Sequence, residues 1–208
     1  MTRDDLLSLI ADSLSHRPER VPGGFLFCPT PHAGEFAYLA RVHDPIPADF
    51  ARTWGAETCD PDNPYFHVVT EVANGLQIAT LSLGGVIDRI DRSADPSAGQ
   101  PIDLRYGNVV GRPANLDDAD MVIGSIVGWS SKGAFVMDSD GKVRLVHASN
   151  GADIADEWPS LETMLRAELI RLAELHDPSG RELCTSTDLM HPNGRRWETQ
   201  VEPGSTRH

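Results

Sequence analysis

Cysteine, signal-like segments and long apolar runs are scarce or absent in this sequence of 208 residues. The three cysteines, Cys28, Cys59 and Cys184, form an odd and widely spaced set, which is not the framework of a disulfide-stabilised domain. The longest apolar stretches, such as Met121 to Ile126, fall far short of the roughly 20 residues that a transmembrane helix needs. The first residues hold two acids, and no continuous apolar segment follows them. A secretory signal has a positively charged start followed by such a segment. These features predict a cytoplasmic protein without membrane spans.

Basic residues are too few to balance the acids, and the formal net charge is −13. Residues 41–176 contain 21 acids and 11 bases, so they carry −10 of that charge. Nucleic acids and anionic membranes are bound through clustered Lys and Arg, so neither is an expected partner. A basic protein is the partner that this charge would attract. Simple solubility is the alternative explanation.

The motifs of nucleotide-binding and nucleophilic sites are also missing. Gly124 to Gly128 is glycine-flanked, but the Lys-Ser/Thr that completes a phosphate-binding loop does not follow it. No Gly-x-Ser-x-Gly elbow is present, and nothing in the sequence orients a base for the distant pair Cys59 and His147. No catalytic residue is therefore assigned.

Metal-binding patterns fail for similar reasons. Cys28, His32, His43 and His67 lack the paired spacing of a zinc site. The segment Asp138 to Gly141 has its glycine too early for a calcium loop and no bidentate Glu after it, so we interpret it as a hairpin turn. The sequence predicts no metal and no cofactor.

Three segments carry clear secondary-structure patterns. Residues 2–14 predict a helix, because Thr2 and Asp5 have the spacing of a capping box and apolar residues recur at helical intervals. Residues 134–137 and 142–147 predict a β-hairpin, because Asp140-Gly141 permits the positive φ of a tight turn. Residues 159–176 predict a helix whose leucines share one face.

Other segments are less decisive. Pro47 favours the start of a short helix over Ala48 to Trp54, and Met121 to Trp129 is a candidate strand. Tyr65 to Val72 is rich in aromatic and β-branched residues, which favours a strand, with a helix that ends at Asn74-Gly75 as the alternative. Residues 177–208 lack apolar periodicity and are expected to form a loosely attached tail.

Short motifs follow one another in a fixed order between residues 40 and 176. They are Ile46-Pro47-x-Asp49-Phe50-x3-Trp54, Asn74-Gly75, Leu83-Gly84, Ile123-Gly124, Phe135-Val136-Met137-Asp138-x2-Gly141-x-Val143 and Trp158-Pro159-Ser160-Leu161-x2-Met164-Leu165. This order resembles the SMI1/KNR4 family of the SUKH superfamily. The resemblance implies a single α+β domain with a central mixed, largely antiparallel sheet and flanking helices. It divides the chain into an N-terminal helix and extension (1–40), the family-like domain (41–176) and the tail (177–208).

The same resemblance implies a function in protein binding. Members of the superfamily act chiefly as immunity proteins, which bind and neutralise cognate polymorphic toxins, and others regulate signalling through protein contacts. We therefore expect a non-catalytic domain that binds a basic toxin. A small-molecule enzyme that uses Cys28, His32 or His67 and a regulatory scaffold that contacts several proteins remain the alternatives.

Acids and one tryptophan are the candidate partner-binding residues. Asp88 with Asp91, and the run Asp117-Asp118-Ala119-Asp120, predict solvated acidic surface, although closely spaced carboxylates also suit acid–base chemistry. Such a surface would steer a basic partner. Trp129 is a candidate aromatic anchor, with a buried core tryptophan as the alternative. The candidates are Asp88, Asp91, Asp117, Asp118, Asp120 and Trp129.

Overall fold

A computed structural model describes six stretches of the chain. They are residues 1–27, 40–55, 62–78, 81–85, 104–126 and 133–175. Within these stretches no helix is long and apolar enough to cross a membrane. The expected tail, 177–208, lies outside them.

The chain begins with helix α1, Arg3–Leu14, and the predicted capping box is confirmed. The Thr2 side chain accepts a hydrogen bond from the Asp5 amide, and the Asp5 carboxylate accepts one from the Thr2 amide. These bonds satisfy two of the amides that a helix start leaves without partners. The helix ends at Ser15, which has a φ of 56°. Leu6, Leu9 and Ile10 fix its buried face.

The described strands form one antiparallel meander in which each strand pairs with the next along the chain. Together with the helices this confirms the predicted single α+β domain with a largely antiparallel sheet. The nine strands are β1 Glu19–Val21, β2 Gly24–Phe27, β3 Ala40–His43, β4 Leu76–Ile78, β5 Leu81–Leu83, β6 Met121–Ile126, β7 Ala134–Met137, β8 Val143–His147 and β9 Asn150–Trp158.

The helices connect and cover these strands. Helix α2 spans Ala48–Gly55, as predicted, and helix α3 spans Pro64–His67 and continues into a π-helical turn over Val68–Val72. A second π-helical turn, Tyr106–Val110, lies beside β6. Helix α4, Leu161–Leu175, packs against α1 and confirms the predicted closing helix.

The sheet has two chemically different faces, because side chains alternate along each strand. The main core lies on the first face, where α1, α4 and the sheet bury residues such as Ile78, Phe135 and Leu165. We call the other side the second face. At β6–β8 it carries a small apolar cluster of Val122, Ala134, Val136 and Val146, against which Leu116 packs.

Residues 1–27 belong to the same sheet and main core as the described residues from position 40 onward. Strand β2 pairs with β3, and Asp44, just after β3, binds both Arg3 of α1 and Arg20 of β1. Both guanidinium groups also lie over the ring of Phe25, with Cζ 5.3 and 4.8 Å from its centroid. This cluster ties the N-terminal helix to the first strands.

The segment Tyr65–Val72 is a helix, so the strand interpretation was wrong. Asn63 caps the helix through a hydrogen bond from the Tyr65 amide to its Oδ1 atom, and Pro64 occupies the first turn. A side-chain cap followed by proline starts a helix, and here it outweighs the strand preference of the valines.

Candidate functional site

Asn63 connects the start of α3 to two other segments at one end of the sheet. Its buried amide nitrogen donates to the carbonyl oxygens of Met137 and Ala119, at 3.2 and 3.4 Å. These bonds bring the start of α3 against the end of β7 and the turn that precedes β6. We call this region the acidic end, because it gathers the five acids Asp62, Asp117, Asp118, Asp138 and Asp140.

Asp120 supports the acidic end from inside, so the expectation that it lies on a solvated surface was wrong. It is only 5% exposed. One carboxylate oxygen accepts a hydrogen bond from Arg144 at 2.6 Å, and the other accepts one from the Asp117 amide at 3.0 Å. The physical reason is charge pairing, since a carboxylate is buried when a guanidinium and a backbone amide compensate it.

Arg112 fixes the same turn from a second direction. Its guanidinium donates to the backbone oxygens of Asp117 and Asp120, at 2.6 and 2.8 Å. The turn is therefore held through its backbone, and the side chains of Asp117 and Asp118 point to solvent. No basic side chain in the described stretches forms an ion pair with either carboxylate.

The β7–β8 turn contributes the other acids and is equally ordered. The Asp138 carboxylate accepts hydrogen bonds from the amides of Asp140 and Lys142, both at 3.0 Å. Gly141 has a φ of +84°, which a side chain would strain. The hairpin prediction, including the role of Asp-Gly, is thus confirmed. Asp140 remains exposed at the tip.

An exposed apolar strip adjoins the acidic end. Tyr106, Val109 and Val110 of the second π-helical turn are all exposed, Val110 at 71%. Asn108 anchors this turn to β6, since it donates to the Val122 oxygen and accepts from the Val122 amide, both at 2.8 Å. Arg112 links the same segment to the Asp117 turn. We call the strip, together with Asp117 and Asp118, the docking surface.

The strip is the part that sequence reasoning missed. Residues 104–110 carry no motif, and apolar side chains in a sequence are expected to be buried, so nothing marked Tyr106, Val109 or Val110 as surface. π-helical turns are frequent at functional sites, but this one is visible only in the structure.

A cavity of about 520 Å³ opens on the second face of the sheet. Its lining includes Leu104, Tyr106, Val122, Ser125 and Ser149, with several glycines. The described lining residues contribute apolar groups and the hydroxyls of Tyr106, Ser125 and Ser149. The Ser149 hydroxyl shares a hydrogen bond with Nδ1 of His147 at 2.8 Å, so one imidazole is bonded to the lining.

Of the three residues that the enzyme alternative names, the structure describes only His67. His67 is exposed and its Nδ1 lies 3.1 Å from Glu71, one helical turn away. His43 is buried, and burial, with the charge of Arg41, lowers its pKa to about 4, against the opposing effect of Asp44. Cys28, His32 and Cys59 lie outside the described residues. No group of three metal-ligating side chains occurs in the parts of the chain that the structure describes.

The structure therefore places only part of the predicted partner-binding set. It brings Asp117 and Asp118 together on the surface and assigns Asp120 to the support beneath them. Asp88, Asp91 and Trp129 lie outside the described residues. Asp62, Asp138 and Asp140, which the sequence did not single out for binding, join the acidic end.

Comparisons with known proteins identify no relative. No protein-family model, curated protein or solved structure matches this chain. The SMI1/KNR4 resemblance therefore stays a prediction from the motif series, and any functional proposal depends on the chain's own geometry.

Proposed function

We propose that this chain is a non-catalytic protein-binding domain of the immunity type, which neutralises a basic toxin through the docking surface. The observation that carries the proposal is the pairing of ordered, exposed acids with an adjoining exposed apolar strip. The ordered series of family-like motifs supports the same function. Cytoplasmic location is part of the proposal.

The acids suit recognition because they are preorganised. Asn63, Arg112 and Asp120 hold the turn through backbone hydrogen bonds, so the turn loses little conformational freedom when a partner binds. Asp117 and Asp118 do not have to leave an ion pair within the described structure before they meet a positive charge. Their field steers a basic partner toward this end of the molecule.

The apolar strip supplies binding affinity, which the acids alone do not provide. Charged groups mostly set the association rate and the choice of partner, whereas buried aromatic and aliphatic side chains supply most of the affinity. Tyr106 is the natural anchor, because tyrosine is enriched among the residues that dominate binding energy. Val109 and Val110 extend the apolar area beside it.

A toxin with nucleic-acid substrates is a fitting partner, because its own substrate-binding surface is basic. The test is co-expression of this chain with the toxin module of any secreted protein found to be encoded next to it, scored by cell survival and by recovery of a complex. We expect wild-type protein to protect the cells and Tyr106→Ala with Val110→Ser to protect less. Absence of both protection and a complex would refute the proposal for that pair.

A further inference from the structure

Polar side chains form a row across four neighbouring strands, β3 to β6. Arg41 of β3 is in register with Gln77 of β4, Gln77 with Ser82 of β5, and Ser82 with Ser125 of β6. Their neighbours along the strands, such as Val42 and Leu81, face the main core. The row therefore lies on the second face, and Ser125 places its far end at the cavity.

Arg41 is the unusual member of this row, because its charge is buried and no ion pair within the described stretches compensates it. The residue is only 7% exposed, and its buried Nε has no hydrogen-bond partner in the part of the chain that the structure describes. No carboxylate among the residues that the structure describes pairs with its guanidinium. An arginine stays protonated even when buried, so it is strongly unfavourable to leave its charge unpaired.

The described surroundings of Arg41 provide no negative charge to pair with it, and the neighbouring His43 is uncharged near neutral pH because burial lowers its pKa to about 4. His43 lies two residues further on the same face and is 5% exposed. Asp44, the nearest acid after it, is already bound to Arg3 and Arg20. This part of the second face therefore offers a positive charge and no described counter-charge.

We propose that Arg41 anchors an oxyanion site on the second face of the sheet, which takes a phosphate or a carboxylate group. The planar guanidinium matches both groups because its two parallel N–H bonds reach two oxygens of one anion. The anion reaches the guanidinium from the side of Arg41 that remains exposed to solvent. This site is independent of the docking surface and of the proposed toxin partner.

The test is thermal unfolding of the full chain with added inorganic phosphate or acetate, against chloride at the same ionic strength. A ligand that binds only the folded state raises the midpoint in a saturable manner. At a concentration one hundred times the dissociation constant, the expected rise is about 5–10 °C for a protein of this size. A response to phosphate alone or to both anions distinguishes the two ligand classes.

Arg41→Met removes the charge and keeps an apolar stem of similar length, so it should abolish the anion response. Its midpoint in chloride should equal or exceed that of the wild type, because an unpaired buried charge has been removed. Arg41→Lys keeps the charge but loses the planar group that binds two oxygens at once, so it should retain a weaker response. Arg52→Met is the matched control, since Arg52 is exposed on α2, and it should respond like the wild type.

Two results would overturn the site. One is an unchanged midpoint of the wild-type protein in both anions, and the other is an equal rise in wild type and Arg41→Met. A midpoint of Arg41→Met well below the wild type in chloride, without any anion response of the wild type, would show that a carboxylate of the chain itself pairs with Arg41.

Discussion

The burial of His43 predicts a specific loss of stability in mild acid. Burial and the charge of Arg41 lower the pKa of His43 from the ordinary 6.5 to about 4 in the folded protein. Between these two values the unfolded chain binds a proton that the folded chain excludes. The contribution of His43 to the free energy of unfolding is therefore fully present above pH 6.5 and is lost as the pH falls toward 4.

The size of the effect follows from the shift. A difference of one pKa unit corresponds to about 1.4 kcal/mol, so the fall from 6.5 to about 4 corresponds to about 3 kcal/mol of unfolding free energy. That is a large fraction of the roughly 5–15 kcal/mol that stabilises a typical domain.

The assay is urea denaturation of wild type and His43→Gln at several pH values between 7.5 and 4.5. Carboxylates also titrate in this range, but they are common to both proteins, so the difference between the two curves isolates His43. We expect the wild-type advantage over His43→Gln to shrink by about 2–3 kcal/mol across the series. His67→Gln is the control, because a side chain that stays in water should change stability by less than about 0.5 kcal/mol. A pH-independent difference between wild type and His43→Gln would refute the reasoning.

Further predictions concern the buried groups of α4 and the acidic end. Leu165→Ala should lower the unfolding free energy by about 2–5 kcal/mol because it opens a core cavity. Glu162→Ala removes only a solvent-accessible ion pair with Arg166, so it should change the unfolding free energy by less than about 0.5 kcal/mol. Arg171→Met should cost about 3–5 kcal/mol, because it leaves the carboxylate of Glu168 buried and unpaired, and Glu168→Leu in the same chain should recover most of that loss. Asp120→Ala should cost about 3 kcal/mol, because its arginine partner loses its counter-charge. Urea denaturation measures all of these changes, and small effects throughout would contradict the packing described.

Local signals in the sequence were sufficient for the elements that depend on local chemistry. The Thr2–Asp5 capping box, the Asp140-Gly141 turn and the leucine spacing of α4 each specify a structure within a few residues, and each is confirmed. Strand β9, Asn150–Trp158, was not predicted. It is an edge strand with bulged pairing to β8, so its side chains do not alternate regularly between core and solvent.

The candidate site was only partly predictable because its geometry depends on distant contacts. A run of acids does not show which carboxylate turns inward, and Asp120 does so because Arg144 lies opposite it, 24 residues later. Asn63 also joins segments that are 56 and 74 residues away in sequence. No local pattern contains such pairings.

The rate of association with the basic partner tests the central claim most directly. Asp117→Lys with Asp118→Lys should slow association roughly tenfold or more at low salt, because both carboxylates are exposed and steer the encounter. The effect should shrink at physiological ionic strength, where exposed charges are screened over about 8 Å. Asp120 stays unchanged so that the turn keeps its internal support, and Asp4→Lys with Asp12→Lys on α1 provides the same change in charge away from the docking surface. The account predicts a slow, salt-dependent rate for the first variant and a near wild-type rate for the second. Equal rates for both variants would contradict the assignment of the docking surface.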